Sequence, residues 1–283
     1  MSLLLSGNEV AKFYKHKIQE EVKTIFEKTK KKPGIACILV GDDPASQIYV
    51  RNKEKTSQKL GIHSEIHKLS QTISQSELLS LIDKLNNADH INGILVQLPL
   101  PKHIDEQKIF LKIRTDKDVD VFHPKNIGDI WTGNGNLFPC TPHGVMKFFE
   151  YYKLPIRGKN VVIIGRSNIV GKPLGALFLR EHGTVTFCHS RTQNLEEICA
   201  RAEILIGAIG KPEFITKSFI KPGAVVIDVG INRLEDGRVV GDVCFDEVRD
   251  IASAITPVPG GVGPMTIAML MLNTLNLFKE HNK

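Results

Sequence analysis

Short, unbroken apolar runs recur along this chain, and segments with helical spacing separate them. GIACILV (34–40), INGILVQLPLP (91–101), NVVIIG (160–165), AEILIGAIG (202–210) and AVVIDVGIN (224–232) are such runs. A strand buried on both faces reads this way, because neither face alternates with polar residues. Parallel neighbours need crossovers long enough for a helix, and those crossovers are right-handed. The alternation therefore predicts an α/β chain of parallel sheets.

The helical segments have their own signals. Val10, Phe13, Ile18, Val22 and Ile25 place one apolar face on a helix over 8–30. Gly41-Asp42-Asp43-Pro44 opens a helix over 45–60, which Gly61 closes. HSEIHKL (63–69) reads as a weaker strand, and Ser74 as the N-cap of a helix over 76–87. From Lys102 to Phe138 the chain is rich in Asp, Gly and Asn and reads as irregular. PCTPHG then opens a helix, with Thr141 as N-cap and Pro142 at its first position. TVTFCH (184–189) is a further strand, and a long apolar-faced helix runs from Pro264 to the end.

At 283 residues the chain has room for two domains. The expected division is an N-terminal α/β catalytic domain over 1–138 and a Rossmann-like dinucleotide domain with a parallel sheet over 139–263. The final helix, 264–283, is expected to pack back on the first domain. With 42% hydrophobic and 24% charged residues, a disordered or collagen-like chain is excluded. The net charge of +6 invites nucleic acid as a partner, but the cations are dispersed apart from Lys28, Lys30, Lys31 and Lys32. That run reads as a solvated helix end, and 6% aromatics offer little for base stacking, so no nucleic acid is expected. The five cysteines form no C-x-x-C pair and read as free thiols of a reducing compartment. No secretory pattern or membrane-length apolar run is visible, so a cytoplasmic protein is expected.

The strand NVVIIG runs through Gly165-Arg166-Ser167-Asn168-Ile169-Val170-Gly171 into a helix. Backbone N–H groups at such a helix start favour a pyrophosphate. The spacing departs from G-x-G-x-x-G, and the strand–turn–helix context carries the reading. NAD sites place an acid at the end of the next strand for the ribose 2′-OH. Here that strand ends in His189-Ser190-Arg191, and Ser190, Arg191 and Arg166 suit a 2′-phosphate. NADP is therefore the expected cofactor.

Tyr49 and Lys53 stand four apart on the helix over 45–60 and share a face, with Ser46 beside them. Gln97 ends the strand INGILVQ, and Asp118 lies in the loop DKDVD. Ligands of parallel sheets gather at those strand ends. Singly, each residue has a plainer reading: a solvated lysine, a strand terminus, a turn-capping aspartate. Short-chain dehydrogenases also use Tyr-x-x-x-Lys, but there the pair follows the dinucleotide turn, and here it precedes it. His63 and His67, four apart on a strand, are not read as a metal pair, and no metal is assigned.

ILVGDDPASQIYVRNKEKTSQKLGI, GILVQLPLP, DKDVDVFHPKNIG, PCTPHG, VVIIGRSNIVGKPLG, CHSRT, DVGIN and PGGVGPMTIAML are colinear over nearly the whole chain. By these motifs it resembles the bifunctional methylenetetrahydrofolate dehydrogenase/methenyltetrahydrofolate cyclohydrolase (FolD-like) family. The resemblance implies NADP-dependent oxidation of 5,10-methylenetetrahydrofolate, then hydrolysis of the methenyl cation to 10-formyltetrahydrofolate. It implies Lys53 as the central catalytic residue, Gln97 positioning it, Tyr49 stacking on the folate and Asp118 bonding the pterin. Val96, Leu98 and the segment Pro259-Gly260-Gly261 would also meet substrate. Gly165, Arg166, Ser167, Ser190, Arg191 and Ile231 would hold NADP. A homodimer is implied as well. Hydride loss needs positioning above all, whereas hydrolysis needs a proton acceptor. A lysine serves there in its neutral form, which burial and a neighbouring cation favour.

The sequence departs from the family at Val121, where a glycine usually follows KDVD. If that position has φ > 0, valine is strained there. The alternatives are a dehydrogenase-only member, a two-domain oxidoreductase like shikimate dehydrogenase, and a non-catalytic NADP sensor. The intact Tyr49, Lys53, Gln97 and Asp118 set, with VQLPLP and PGGVGPMT, argues against all three.

Overall fold

The computed structural model describes residues 2–283. In chain order its elements begin β1 (Leu3–Leu4), α1 (Gly7–Thr29), β2 (Gly34–Val40), α2 (Pro44–Lys59), β3 (His63–Leu69), α3 (Gln75–Asn86) and β4 (Gly93–Val96). Next come α4 (Glu106–Lys112), α5 (Pro124–Trp131), α6 (Cys140–Tyr151), β5 (Asn160–Ile164), α7 (Gly171–Arg180) and β6 (Thr184–Cys188). The chain closes with α8 (Leu195–Cys199), β7 (Ile204–Gly207), β8 (Val225–Asp228), β9 (Asn232–Arg233), β10 (Val239–Val240), α9 (Phe245–Val248), β11 (Ala254–Ile255) and α10 (Val262–His281). Among the described residues the strands form a six-stranded sheet, a three-stranded sheet and a small two-stranded ribbon.

Two compact units result. The three-stranded unit comprises Phe13–Asp129, Gly135–Phe138 and Ile267–Lys283. The six-stranded unit takes the chain up to Lys12, with Ile130–Asn134 and Pro139–Thr266. The units are thus not divided by one cut near residue 138. β1 leaves the N-terminal segment and pairs with β11, Leu3 opposite Ala254 and Leu4 opposite Ile255. Two-residue strands carry no periodicity that a sequence reading can detect.

In the three-stranded unit the order is β3-β2-β4, all parallel. β2 is central and buried along its whole length, as its unbroken apolar run requires. Ala36, Ile38 and Val40 pack with Leu78, Ile82 and Leu85 of α3 and with Ile109 of α4. Side chains of that size stabilise by roughly 1.5–3 kcal/mol each when fully buried. α3 begins in a capping box, Ser74 with Glu77. The stretch expected to be irregular holds α4 and α5. α4 is capped by Asp105, which accepts from the N–H of Gln107 and Lys108. Both helices are too short for an apolar stripe to show.

The six-stranded unit orders its strands β1-β11-β8-β7-β5-β6, again all parallel. Register aligns Ile164 with Cys188 and with Gly207, so three strands end at one level. α6 starts at Cys140 after Pro139, with no side-chain cap. Thr141 therefore does not serve as N-cap; its hydroxyl meets that of Thr266 at 2.9 Å.

Candidate active site

The three-stranded unit brings Lys53 to Gln97. Asp43 caps α2 by accepting from the Ser46 N–H, and Pro44 fixes the first turn. That start sets the helix phase, which carries Tyr49 and Lys53 on one face one turn apart. β4 ends beside the middle of β2, where the Gln97 N–H donates to the Ile38 carbonyl at 2.9 Å. There Lys53 Nζ donates to Gln97 Oε1 at 2.9 Å. The Gln97 amide N–H donates to the Leu98 carbonyl at 2.6 Å, so the amide oxygen is the end that faces the lysine. Lys53 is buried, while Tyr49 is 39% exposed. Cys37 lies beneath. Burial pushes its thiol up to about 12, with the Lys53 charge opposing and the Asp120 charge adding to the rise.

Asp118 is bound up in its own loop. Its carboxylate accepts from the N–H groups of Phe122 at 3.1 Å and His123 at 2.9 Å, and from Asn126 Nδ2 at 2.9 Å. It is 3% exposed and bridges Ile94 of β4. Burial raises its carboxyl above the usual range, the three donors pull it back, and Asp120 adds to the rise. Both oxygens thus organise the turn into α5. The half-buried acid, within electrostatic range of Cys37 as Lys53 is, is Asp120. Val121, next to it, has φ +63° and a fully buried side chain. The departure from the family glycine therefore falls at a left-handed position. There a residue with a Cβ costs ~1–2 kcal/mol.

In the six-stranded unit the site is made of backbone. Gly165 has φ +139°, and a Cβ on it would stand 2.2 Å from the Ala208 carbonyl oxygen. Gly171 opens α7 so close to the turn that a Cβ would stand 2.4 Å from the Gly165 oxygen. The Ser167 hydroxyl accepts from the N–H groups of Val170 and Gly171, both at 3.2 Å. On the adjacent strand end, His189 and Thr192 close a turn that leaves Ser190 and Arg191 exposed. Arg166 is exposed on the neighbouring turn. Two buried acids unnoticed in the sequence brace the next strand ends. Asp242 accepts from the N–H groups of Ile209, Gly210 and Lys211 and from Asn232 Nδ2. Asp228 accepts from those of Gly230, Asp242 and Val243. Burial pushes the Asp228 carboxyl up to about 7 against the pull of these N–H donors, with the Asp242 charge adding to the rise.

Residues 5–120 match the model of the tetrahydrofolate dehydrogenase/cyclohydrolase catalytic domain, and residues 139–282 that of its NAD(P)-binding domain. The chain belongs to the tetrahydrofolate dehydrogenase/cyclohydrolase family. A relative named bifunctional protein FolD, from Enterococcus faecalis, is 54% identical over 280 residues, covering 99% of each chain. The crystal structure of bifunctional FolD from Campylobacter jejuni has TM-score 0.97 at 46% identity and covers 99% of both chains. FolD of Trypanosoma brucei, complexed with NADP cofactor and inhibitor, has TM-score 0.96 at 38% identity, covering 100% of this chain and 99% of that one.

The remaining expected contact residues have these surroundings. Val96 is a core side chain of the three-stranded unit, packed with Ile38 and Ile94. Leu98 is half-buried and offers its carbonyl to Gln97. In the segment Pro259-Gly260-Gly261, Gly261 is buried, and the Gly260 carbonyl accepts from the N–H groups of Gly7 and Asn8 at the start of α1. Pro259 and Ile231 are exposed. Among the described residues no helix is long and apolar enough to cross a membrane.

Proposed function

We propose that this chain is a bifunctional enzyme of one-carbon metabolism. It oxidises 5,10-methylenetetrahydrofolate with NADP and hydrolyses the resulting methenyl cation to 10-formyltetrahydrofolate. The observation that carries this reading is the Lys53–Gln97 pair, a side-chain nitrogen held at 2.9 Å by an amide whose orientation is itself fixed.

The residues present fit the cofactor. The close approaches at Gly165 and Gly171 leave a backbone cradle with no side chains, and the N-terminus of α7 favours a pyrophosphate. Arg166, Ser190 and Arg191 would take the 2′-phosphate, and Ser167 and Ile231 would flank the dinucleotide. When bound, NADP+ supplies the hydride acceptor for the first step. For that step the chain's residues only bind and orient the folate, with the Tyr49 face against its flat ring system. Asp120, in place of Asp118, is the acid for the pterin.

In the second step water adds to the methenyl carbon. One of its protons must leave as the C–O bond forms; the C–N bond to N5 then breaks, N5 gaining a proton as the adduct's hydroxyl loses its own, to give the 10-formyl product. A neutral amine at Lys53 takes that proton, and Gln97 Oε1 fixes the direction of Nζ. The high identity to proteins named bifunctional supports both steps over a dehydrogenase-only reading. A cytoplasmic homodimer completes the proposal.

The test is an assay of purified protein with NADP+ and methylenetetrahydrofolate, following reduced cofactor and 10-formyl product together. Both should accumulate. Reduced cofactor without hydrolysis leaves the dehydrogenase-only reading, and no reduction removes the proposal.

A further inference from the structure

At the N-terminal edge of the three-stranded sheet, three imidazoles converge on one carboxylate. His63, Glu65 and His67 alternate along β3 and so project to one face. Glu65 Oε1 lies 3.1 Å from His63 Nε2 and 2.8 Å from His90 Nε2, and Oε2 lies 3.2 Å from His67 Nε2. His90 comes from the loop between α3 and β4, which passes over the start of β2. A Cβ at Gly34 would stand 1.9 Å from the His90 carbonyl oxygen, so the crossing requires that glycine. The rings of His63 and His90 meet at 64° with centroids 5.7 Å apart, both turning Nε2 toward the same oxygen.

We propose that His63, Glu65 and His90 bind a divalent cation of the zinc class, with His67 orienting Glu65 from its second oxygen. One ligand atom from each of the three lies within 4.8 Å of the others. Donors around a tetrahedral zinc, with bonds of about 2.0–2.2 Å, stand roughly 3.3 Å apart. The two nitrogen-to-oxygen separations, 3.1 and 2.8 Å, therefore need to open by only a few tenths of an ångström. Two imidazoles and a carboxylate leave a fourth position for water. His67 is then the outer partner that holds a ligating carboxylate.

The donor atoms select the ion. His90 also lines a cavity of about 670 Å³ with Lys31, Lys32, Arg114 and Lys117. With Asp89 also on its wall, that lining gives little negative charge to hold a hard ion such as Mg²⁺ or Ca²⁺, which binds through several oxygens. Neutral imidazole nitrogens instead suit zinc, cobalt and nickel. The site lies at the sheet end away from Gln97, ~13 Å back along β2 from the Ile38 pairing. It takes no part in the folate chemistry. A bound ion fastens the edge strand β3 to the loop before β4, and it stabilises the fold by mass action.

The probe is Co²⁺ added to chelator-treated full-length protein. One equivalent per chain should bind with the strong visible bands of a four-coordinate ion, and Zn²⁺ should displace it. His63→Ala and His90→Ala should each abolish the bands, and His67→Ala should weaken binding about 10–100-fold. Zn²⁺ should raise the melting temperature of the unaltered chain but not of His63→Ala. All these side chains are at the surface or half-buried, so the variants should keep their dehydrogenase activity as proof of folding. Bands that survive the His63→Ala/His90→Ala double variant would overturn the proposal. So would a weak six-coordinate spectrum, or sulfur-to-cobalt charge transfer, which would assign the ion to a cysteine.

Discussion

At its strand ends the three-stranded unit presents side chains: Lys53 on Gln97, with Tyr49 a turn away on the same helix. The six-stranded unit presents backbone instead, with Gly165 and Gly171 drawn so close to their neighbours that no Cβ fits. Both units are parallel sheets that place their sites after the same kind of strand. The difference follows from the tasks. Hydrolysis needs a group that moves a proton, so residue identity carries it. Dinucleotide binding needs N–H groups brought near phosphates, so the absence of side chains carries it. Substitutions should therefore act differently in the two units, through chemistry in one and through geometry in the other.

Gly165→Ala should have the largest effect. Its Cβ meets backbone, which cannot rotate away, and its φ of +139° suits glycine alone. A loss of about 3 kcal/mol or more is expected, with NADP binding lost as well. Thermal melting and cofactor titration would check this, and a stable, NADP-competent variant would break the comparison.

Within the three-stranded unit, Asp118→Asn and Asp120→Asn should separate. The first turns an amide N–H toward backbone donors and should cost ~1–3 kcal/mol in melting while acting on folate only through the loop. The second should raise the KM for folate by more than the first does. The reverse pattern would return the pterin contact to Asp118.

Ser190→Ala with Arg191→Ala should weaken NADP by about 10–100-fold, as expected for lost charge-assisted hydrogen bonds, with little change for NAD. Equal losses would mean that the 2′-phosphate is read elsewhere.

The smallest effect is at Val121, a glycine-like backbone position in the unit built on side chains. Val121→Gly gives up a buried side chain but relieves a φ of +63°, whereas Val121→Ala gives up most of the same burial and keeps the strain. At an ordinary buried site alanine is the milder change. Here glycine should melt higher, by about 1 kcal/mol. Alanine melting higher would show that valine sits there unstrained.

The sequence made the long elements legible because burial on both faces leaves an unbroken apolar run, as in β2 and β5. It hid β1 and β11, whose two residues acquire meaning only within the sheet, where β1 pairs with β11 and β11 with β8. Lys53 and Gln97 were legible as a helix face and a strand end. Asp118 and Asp120 were not separable, because their surroundings depend on the left-handed turn at Val121, after which two N–H groups point back onto Asp118. The Glu65 cluster was invisible for a related reason. His63 and His67 stand on opposite sides of Glu65 along β3, and the third imidazole arrives from another loop.

The most direct test of the division is Lys53→Met, measured for methenyltetrahydrofolate hydrolysis and for NADP affinity in one preparation. Hydrolysis should fall by at least about 100-fold, while NADP affinity and melting stay at the values of the unaltered chain. Hydrolysis at the unaltered rate, with the fold intact, would contradict the assignment of that chemistry to the Lys53–Gln97 pair.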